Sequence, residues 1–116
     1  MTKTVDIEAM YQHLEDTVRS YNPSANFQQI RQAYEFARDL HGPQLRKDGS
    51  PFITHPLAVA QIVAEELHLD SESIEAALLH DTIEDTDATH EQLAKLFSPT
   101  VADLVEGVSK LTRVHY

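Results

Sequence analysis

Apolar positions recur every three to four residues along nearly the whole chain, the period of a helix with one buried face. Ile7, Met10, Tyr11, Leu14, Val18 and Tyr21 form the first stripe, and Asn22-Pro23-Ser24 stops it. Asn26 is placed to cap a second helix, with Gln29 three residues on as in a capping box. Its stripe is Phe27, Ile30, Tyr34, Ala37 and His41, ended by Gly42-Pro43. Pro56 suits the first turn of a third helix, and Leu57 to Leu67 is apolar nearly all round, which predicts a central, buried helix. Asp70 or Ser71 caps a fourth, with Ile74, Ala77, Leu78 and Asp81 on one stripe. Thr89 and Gln92 open a short fifth helix carrying Leu93, Leu96 and Phe97. Ser98-Pro99 opens another, with Val101, Leu104, Val105, Val108 and Leu111. No period-two strand, repeat or interdomain linker interrupts this pattern. The fold class is therefore all-α, a compact bundle of five or six helices.

The 42–54 segment breaks the period. It holds Gly42, Pro43, Gly49, Pro51 and the polar cluster Arg46-Lys47-Asp48-Gly49-Ser50. It is long for a connection in a compact domain, and such loops are often functional.

Composition narrows the class. At 116 residues the chain has room for one hydrophobic core, and 41% apolar with 24% charged residues is close to a soluble globular average. There is no Cys, so any metal site must use His and carboxylates. A net charge of −10 is the wrong sign for duplex nucleic acid or an anionic membrane. An anionic small substrate would need a local basic patch or a metal ion. No apolar run approaches membrane-spanning length, and the first residues lack a signal-peptide core, so a cytoplasmic location is expected.

The chemistry concentrates in Leu79-His80-Asp81-Thr82-Ile83-Glu84-Asp85-Thr86-Asp87, at the predicted end of the fourth helix. A helix C-terminus disfavours anions, and like charges four apart repel, so a run of carboxylates there breaks local rules. A bound cation would relieve the conflict. His80 and Asp81 can lean toward one point, with Glu84 and Asp85 four residues after them on the same side. Imidazole plus carboxylate suits a divalent ion such as Mn, Fe or Zn, and nearby carboxylates can take a proton from bound water. His55, just before the predicted start of the third helix, is the best remaining donor for a third ligand. Singly, each residue has a plainer reading: a solvated acidic face, a helix-end His, a loop His. His13, His41, His68, His90 and His115 are read as structural or surface residues, with His41 the closest choice because it ends a stripe beside the polar loop.

Three stretches at these residues resemble a known family. They are Gln44-Leu45-Arg46-Lys47-Asp48-Gly49-Ser50-Pro51-Phe52-Ile53-Thr54-His55-Pro56, Ala76-Ala77-Leu78-Leu79-His80-Asp81-Thr82-Ile83-Glu84-Asp85-Thr86, and Leu104-Val105-Glu106-Gly107-Val108-Ser109-Lys110-Leu111. Between Phe27 and Val114 the chain is similar to the hydrolase domain of RelA/SpoT-type alarmone enzymes and the small stand-alone alarmone hydrolases, within the HD superfamily. The resemblance implies hydrolysis of (p)ppGpp to GDP or GTP plus pyrophosphate, usually with Mn²⁺. It implies His55, His80 and Asp81 as metal ligands, Glu84 and Asp85 as the acidic pair serving the attacking water, and Arg46 and Lys47 as contacts to the guanine nucleotide. The last role agrees with their chemistry, since guanidinium stacks on a base and Lys meets phosphate. The plainer reading of Arg46-Lys47 is an exposed polar turn. Catalytically dead relatives lose the His-Asp and Glu-Asp residues, and both are present here. Phe52 stands where the family often has Tyr.

The resemblance implies a fourth metal ligand, an Asp in a later Ala-Asp-Arg-like segment; the 116 residues do not contain that segment, and His115 does not match it. The expectation is a single HD-type hydrolase domain over 1–116, truncated at its C-terminus, with the activity of this piece left open. Self-association is expected through an uncovered face around Val101, Leu104, Val108 and Leu111. Two other readings stand beside the hydrolase: a non-catalytic nucleotide-sensing module on an HD scaffold, and an HD phosphohydrolase acting on another nucleotide.

Overall fold

The computed structural model describes residues 6–42, 44–45, 49, 51–80, 82, 86 and 88–114, with side chains described as far as Gly107. Six helices lie among the described residues: α1 (Ile7–Tyr21), α2 (Phe27–His41), α3 (Thr54–Leu67), α4 (Ser71–Leu79), α5 (His90–Leu96) and α6 (Pro99–Val114). The described residues hold no strand, only an isolated antiparallel bridge between Leu45 and Pro51. The chain is all-α.

Local chemistry sets the helix starts. Asp6, Asn26, Asp70 and Thr89 each accept a hydrogen bond from the backbone N–H three residues on, which satisfies one otherwise orphaned donor. Ser98 does the same for Val101 N, and its hydroxyl also donates to Glu72 Oε2 at 3.0 Å, which ties the start of α6 to α4. The capping box at Asn26 forms differently from the usual pattern. Gln29 Nε2 donates to Phe97 O at 2.8 Å, linking α2 to the turn after α5. Gly42 ends α2 at φ 50, a conformation that side chains with a Cβ rarely adopt. His68 ends α3 in the left-handed region and stacks on Tyr21, ring centroids 4.6 Å apart.

Helix α4 is the hub. It packs against α2, α3 and α6, while α1 packs on α3 and α5 on α6. Tyr11, Leu14 and Val18 of α1 meet Ile30, Ala33, Tyr34 and Ala37 of α2 in one core with Leu57, Ala60, Ile74, Leu78, Leu93 and Val101. A polar clasp closes the outside of the α1–α2 seam. Glu8 accepts from the Tyr34 hydroxyl at 2.6 Å and from Arg31 at 3.0 Å.

Three expectations change. Helix α3 is not buried all round: Pro56, Leu57, Ala60 and Ala64 face the core, while Ile62 and Leu67 are 59% and 62% exposed. Its apolar outer face does not mark a central position. Leu96 likewise points outward, and only Leu93 of α5 is fully buried. Val101 is buried in the core, so it cannot belong to an uncovered self-association face, although Leu104 is partly exposed; Val108 and Leu111 lie outside the described side chains.

Candidate metal and phosphohydrolase site

The first turn of α3 and the end of α4 supply the two histidines. Thr54 Oγ1 and N both donate to Pro51 O, and His55 N donates to Phe52 O, so a tight turn flows directly into α3. His55 therefore sits inside the first helical turn rather than before it. Helix α4 stops at Leu79, with His80 as its C-cap residue. Because α3 and α4 pack side by side, the His55 and His80 rings meet, centroids 5.3 Å apart at an interplanar angle of 61°. Their separation in sequence gives no hint of this, and only packing of the two helices produces it.

His80 is nearly buried, and its Nδ1 lies 2.7 Å from Ala77 O. A carbonyl can only accept, so Nδ1 carries the proton. That leaves Nε2 as the ring nitrogen through which a cation could be held. A backbone carbonyl that fixes one ring nitrogen in this way is a common support for a metal-binding imidazole. Two imidazoles converging from two helices, one tautomer held by the backbone, fit a borderline divalent cation such as Mn, Fe or Zn. Among the described residues no group of three His or carboxylate side chains converges. The remaining proposed ligand, Asp81, lies outside the described residues, as do Glu84, Asp85, Arg46 and Lys47.

Beside the two rings lies a cavity of about 530 Å³, within the usual range of ligand pockets. One face of α3 (His55, Val59, Val63) and one face of α4 (Ser73, Ala76, Ala77, His80) form its walls, with Leu69 and Leu104 closing the sides. The helical four-residue step places His55, Val59 and Val63 in line, so the ring stands at the end of an apolar wall. Apart from the histidines and Ser73, these walls offer nothing to a polyphosphate. Polar contacts must come from the ring end of the cavity.

The rings continue beyond the pair. Phe52 packs edge-on to His55 at 6.3 Å, and His41 lies against Phe52 at 4.5 Å. His41, which reads as structural in the sequence, is thus part of the surroundings of the site. Glu75, which the sequence did not single out, is fully buried on α4, and neither of its carboxyl oxygens has a hydrogen-bond partner. Burial first, then the fields of Glu72 and Asp70, push its carboxyl up to about 8. Glu75 does not line the cavity. Its surrounding run of Ile74, Ala76, Ala77, Leu78 and Leu79 was the available signal that it faces inward.

The family profile described as HD domain matches residues 33–116, which include every residue discussed at this site. The chain belongs to the HD-domain family. This HD domain is 49% identical over 107 residues to the bifunctional (p)ppGpp synthase/hydrolase SpoT of Escherichia coli (strain K12), covering 92% of this chain and 15% of that protein. It is 54% identical over 89 residues to a guanosine-3′,5′-bis(diphosphate) 3′-pyrophosphohydrolase of Aquifex aeolicus (strain VF5), covering 77% of this chain and 13% of that protein. It is 50% identical over 97 residues to a GTP pyrophosphokinase of Myxococcus xanthus, covering 84% of this chain and 13% of that protein. The HD domain thus spans only a small part of the length of these relatives.

Proposed function

We propose that residues 1–116 belong to an HD-type domain that hydrolyses the 3′-pyrophosphate of (p)ppGpp in the cytoplasm, giving GDP or GTP and pyrophosphate. The observation that carries this reading is the convergence of the His55 and His80 rings from two helices in the wall of a ligand-sized cavity. The printed activities of the relatives from Escherichia coli and Aquifex aeolicus support the choice of substrate. In this reading His55, His80 and Asp81 hold a divalent ion, Mn²⁺ by the family resemblance. The ion supplies charge neutralisation at the diphosphate and a more acidic bound water. Glu84 and Asp85 orient the attacking water and take its proton. Arg46 and Lys47 hold the nucleotide, Arg46 on the base and Lys47 on phosphate. With a net charge of −10 the chain repels a polyanion at long range, so these two cations and the ion must offset that repulsion locally.

The acidic pair gives the test. Glu84→Gln with Asp85→Asn keeps size and polarity and removes both proton acceptors. In a chain extended to full domain length, pyrophosphate release from ppGpp should fall by a factor of about 10² to 10⁴, while metal and nucleotide binding by titration calorimetry stay near wild type. Release at the wild-type rate would show that the acidic run is a solvated helix end and nothing more.

A further inference from the structure

Helix α3 begins without a side-chain cap. Its N-cap is Ile53, which offers no hydrogen-bonding group to the first turn. That turn carries His55, and the ring contacts around its imidazole run back through Phe52 to His41 at the far end of α2. Gln44 N donates to His41 O, and Phe52 N donates to Gln44 O, each at 3.0 Å, so the two ends of the loop are bound to each other. The Phe52 ring is then held between two imidazoles. His41 lies on its face at 4.5 Å and 30°, and His55 meets it edge-on at 6.3 Å and 76°. Both separations fall in the range in which aromatic rings attract with a preferred geometry.

His41 is an expensive residue for this place. It is 1% exposed, its Nδ1 stands a long 3.4 Å from Gln44 Oε1, and its buried Nε2 has no hydrogen-bond partner. A flat ring at 41 is supported by its tilted contact with Phe52; the ring's nitrogens are poorly served.

We propose that His41 and Phe52 are positioning residues for His55: their packed rings hold the first turn of α3 so that the His55 imidazole stays directed at His80. The proposal rests on the reading of His55 as a metal ligand. It assigns the work to the ring faces and not to the nitrogens of His41. Groups that orient a metal ligand from outside typically change metal affinity by 10- to 100-fold when removed.

The test uses Co²⁺ titrated into the 116-residue chain, followed by the visible absorption of the bound ion, which reports ligand geometry as well as affinity. Thermal unfolding runs alongside on every variant. His41→Ala and Phe52→Leu, each of which removes one ring, should weaken Co²⁺ binding about 10-fold or more and change the band shape. Phe52→Tyr and His41→Phe, which keep the rings, should bind like wild type, and His41→Phe should also unfold at a higher temperature because the orphaned nitrogen is gone. If His41→Ala or Phe52→Leu does not fold, His41→Phe still decides: a loss of affinity there assigns the effect to the imidazole nitrogens and overturns the proposal. His55→Ala separates the two levels of the argument. If it weakens Co²⁺ binding while the ring-removing variants bind normally, the positioning role is wrong and the ligand role stands. If His55→Ala itself binds Co²⁺ like wild type, the ligand role is wrong and the proposal falls with it.

Discussion

Glu75 places a carboxyl group inside a helix face that is otherwise apolar, with both oxygens unpaired. Its folded pKa is raised from 4.5 to about 8, chiefly by burial. Below 4.5 the group is protonated whether the chain is folded or not and costs little beyond an unpaired hydroxyl. As pH rises from 4.5 toward 8 the unfolded chain ionises and the folded one does not, so stability falls through that window. Glu75→Leu removes this dependence. It should stabilise the domain at pH 8 by roughly 3 kcal/mol, with a smaller gain at pH 4, measured by urea denaturation. An equal gain at both pH values would mean that packing, and not ionisation, is responsible. By itself a Glu on a short helix reads as solvent-facing, and only the apolar run around Glu75 points the other way. Three neighbours packed around α4 leave that helix almost no outer face.

Helix ends were legible because capping is local. The cap residues Asn26, Asp70, Thr89 and Ser98 need only the next three residues to do their work, and the structure has all four in place. Helix α3 was misread because an apolar side chain is not thereby a buried one; Ile62 and Leu67 lie on a face that no described helix covers. Two predictions belong to this scale. Ser98→Ala loses both the Val101 cap and the bond to Glu72, and should destabilise the domain by about 1–2 kcal/mol in urea denaturation. Glu8→Gln weakens the α1–α2 clasp. The Tyr34 hydroxyl, then Arg31, hold the Glu8 carboxyl below its usual value of 4.5. Its contribution is therefore present above 4.5 and is lost as pH falls through the lowered folded pKa. Because the Glu8 side chain is 55% exposed, the effect is held below about 1 kcal/mol. The variant should differ from wild type at pH 7 and converge on it in acid; a constant difference would rule out the charged clasp.

At the scale of the whole molecule the site depends on a contact between helices that no local pattern encodes. The sequence supplied His80 through its acidic surroundings and His55 only as the best remaining donor, with the family resemblance naming both. Packing of α3 on α4 brings their rings to 5.3 Å. The same packing opens the cavity whose walls are Val59, Val63, Ala76 and Ala77, and whose shape no periodicity could give. The central claim is that these two histidines share one divalent ion. A ligand that binds only the folded state stabilises it by about 2.7 kcal/mol at a hundredfold excess over its Kd. The thermal midpoint of the chain, measured with and without saturating Mn²⁺, should therefore rise by several degrees in the wild type and stay unchanged in both His55→Ala and His80→Ala. A full Mn²⁺ shift in either variant, or none in the wild type, would contradict the shared site.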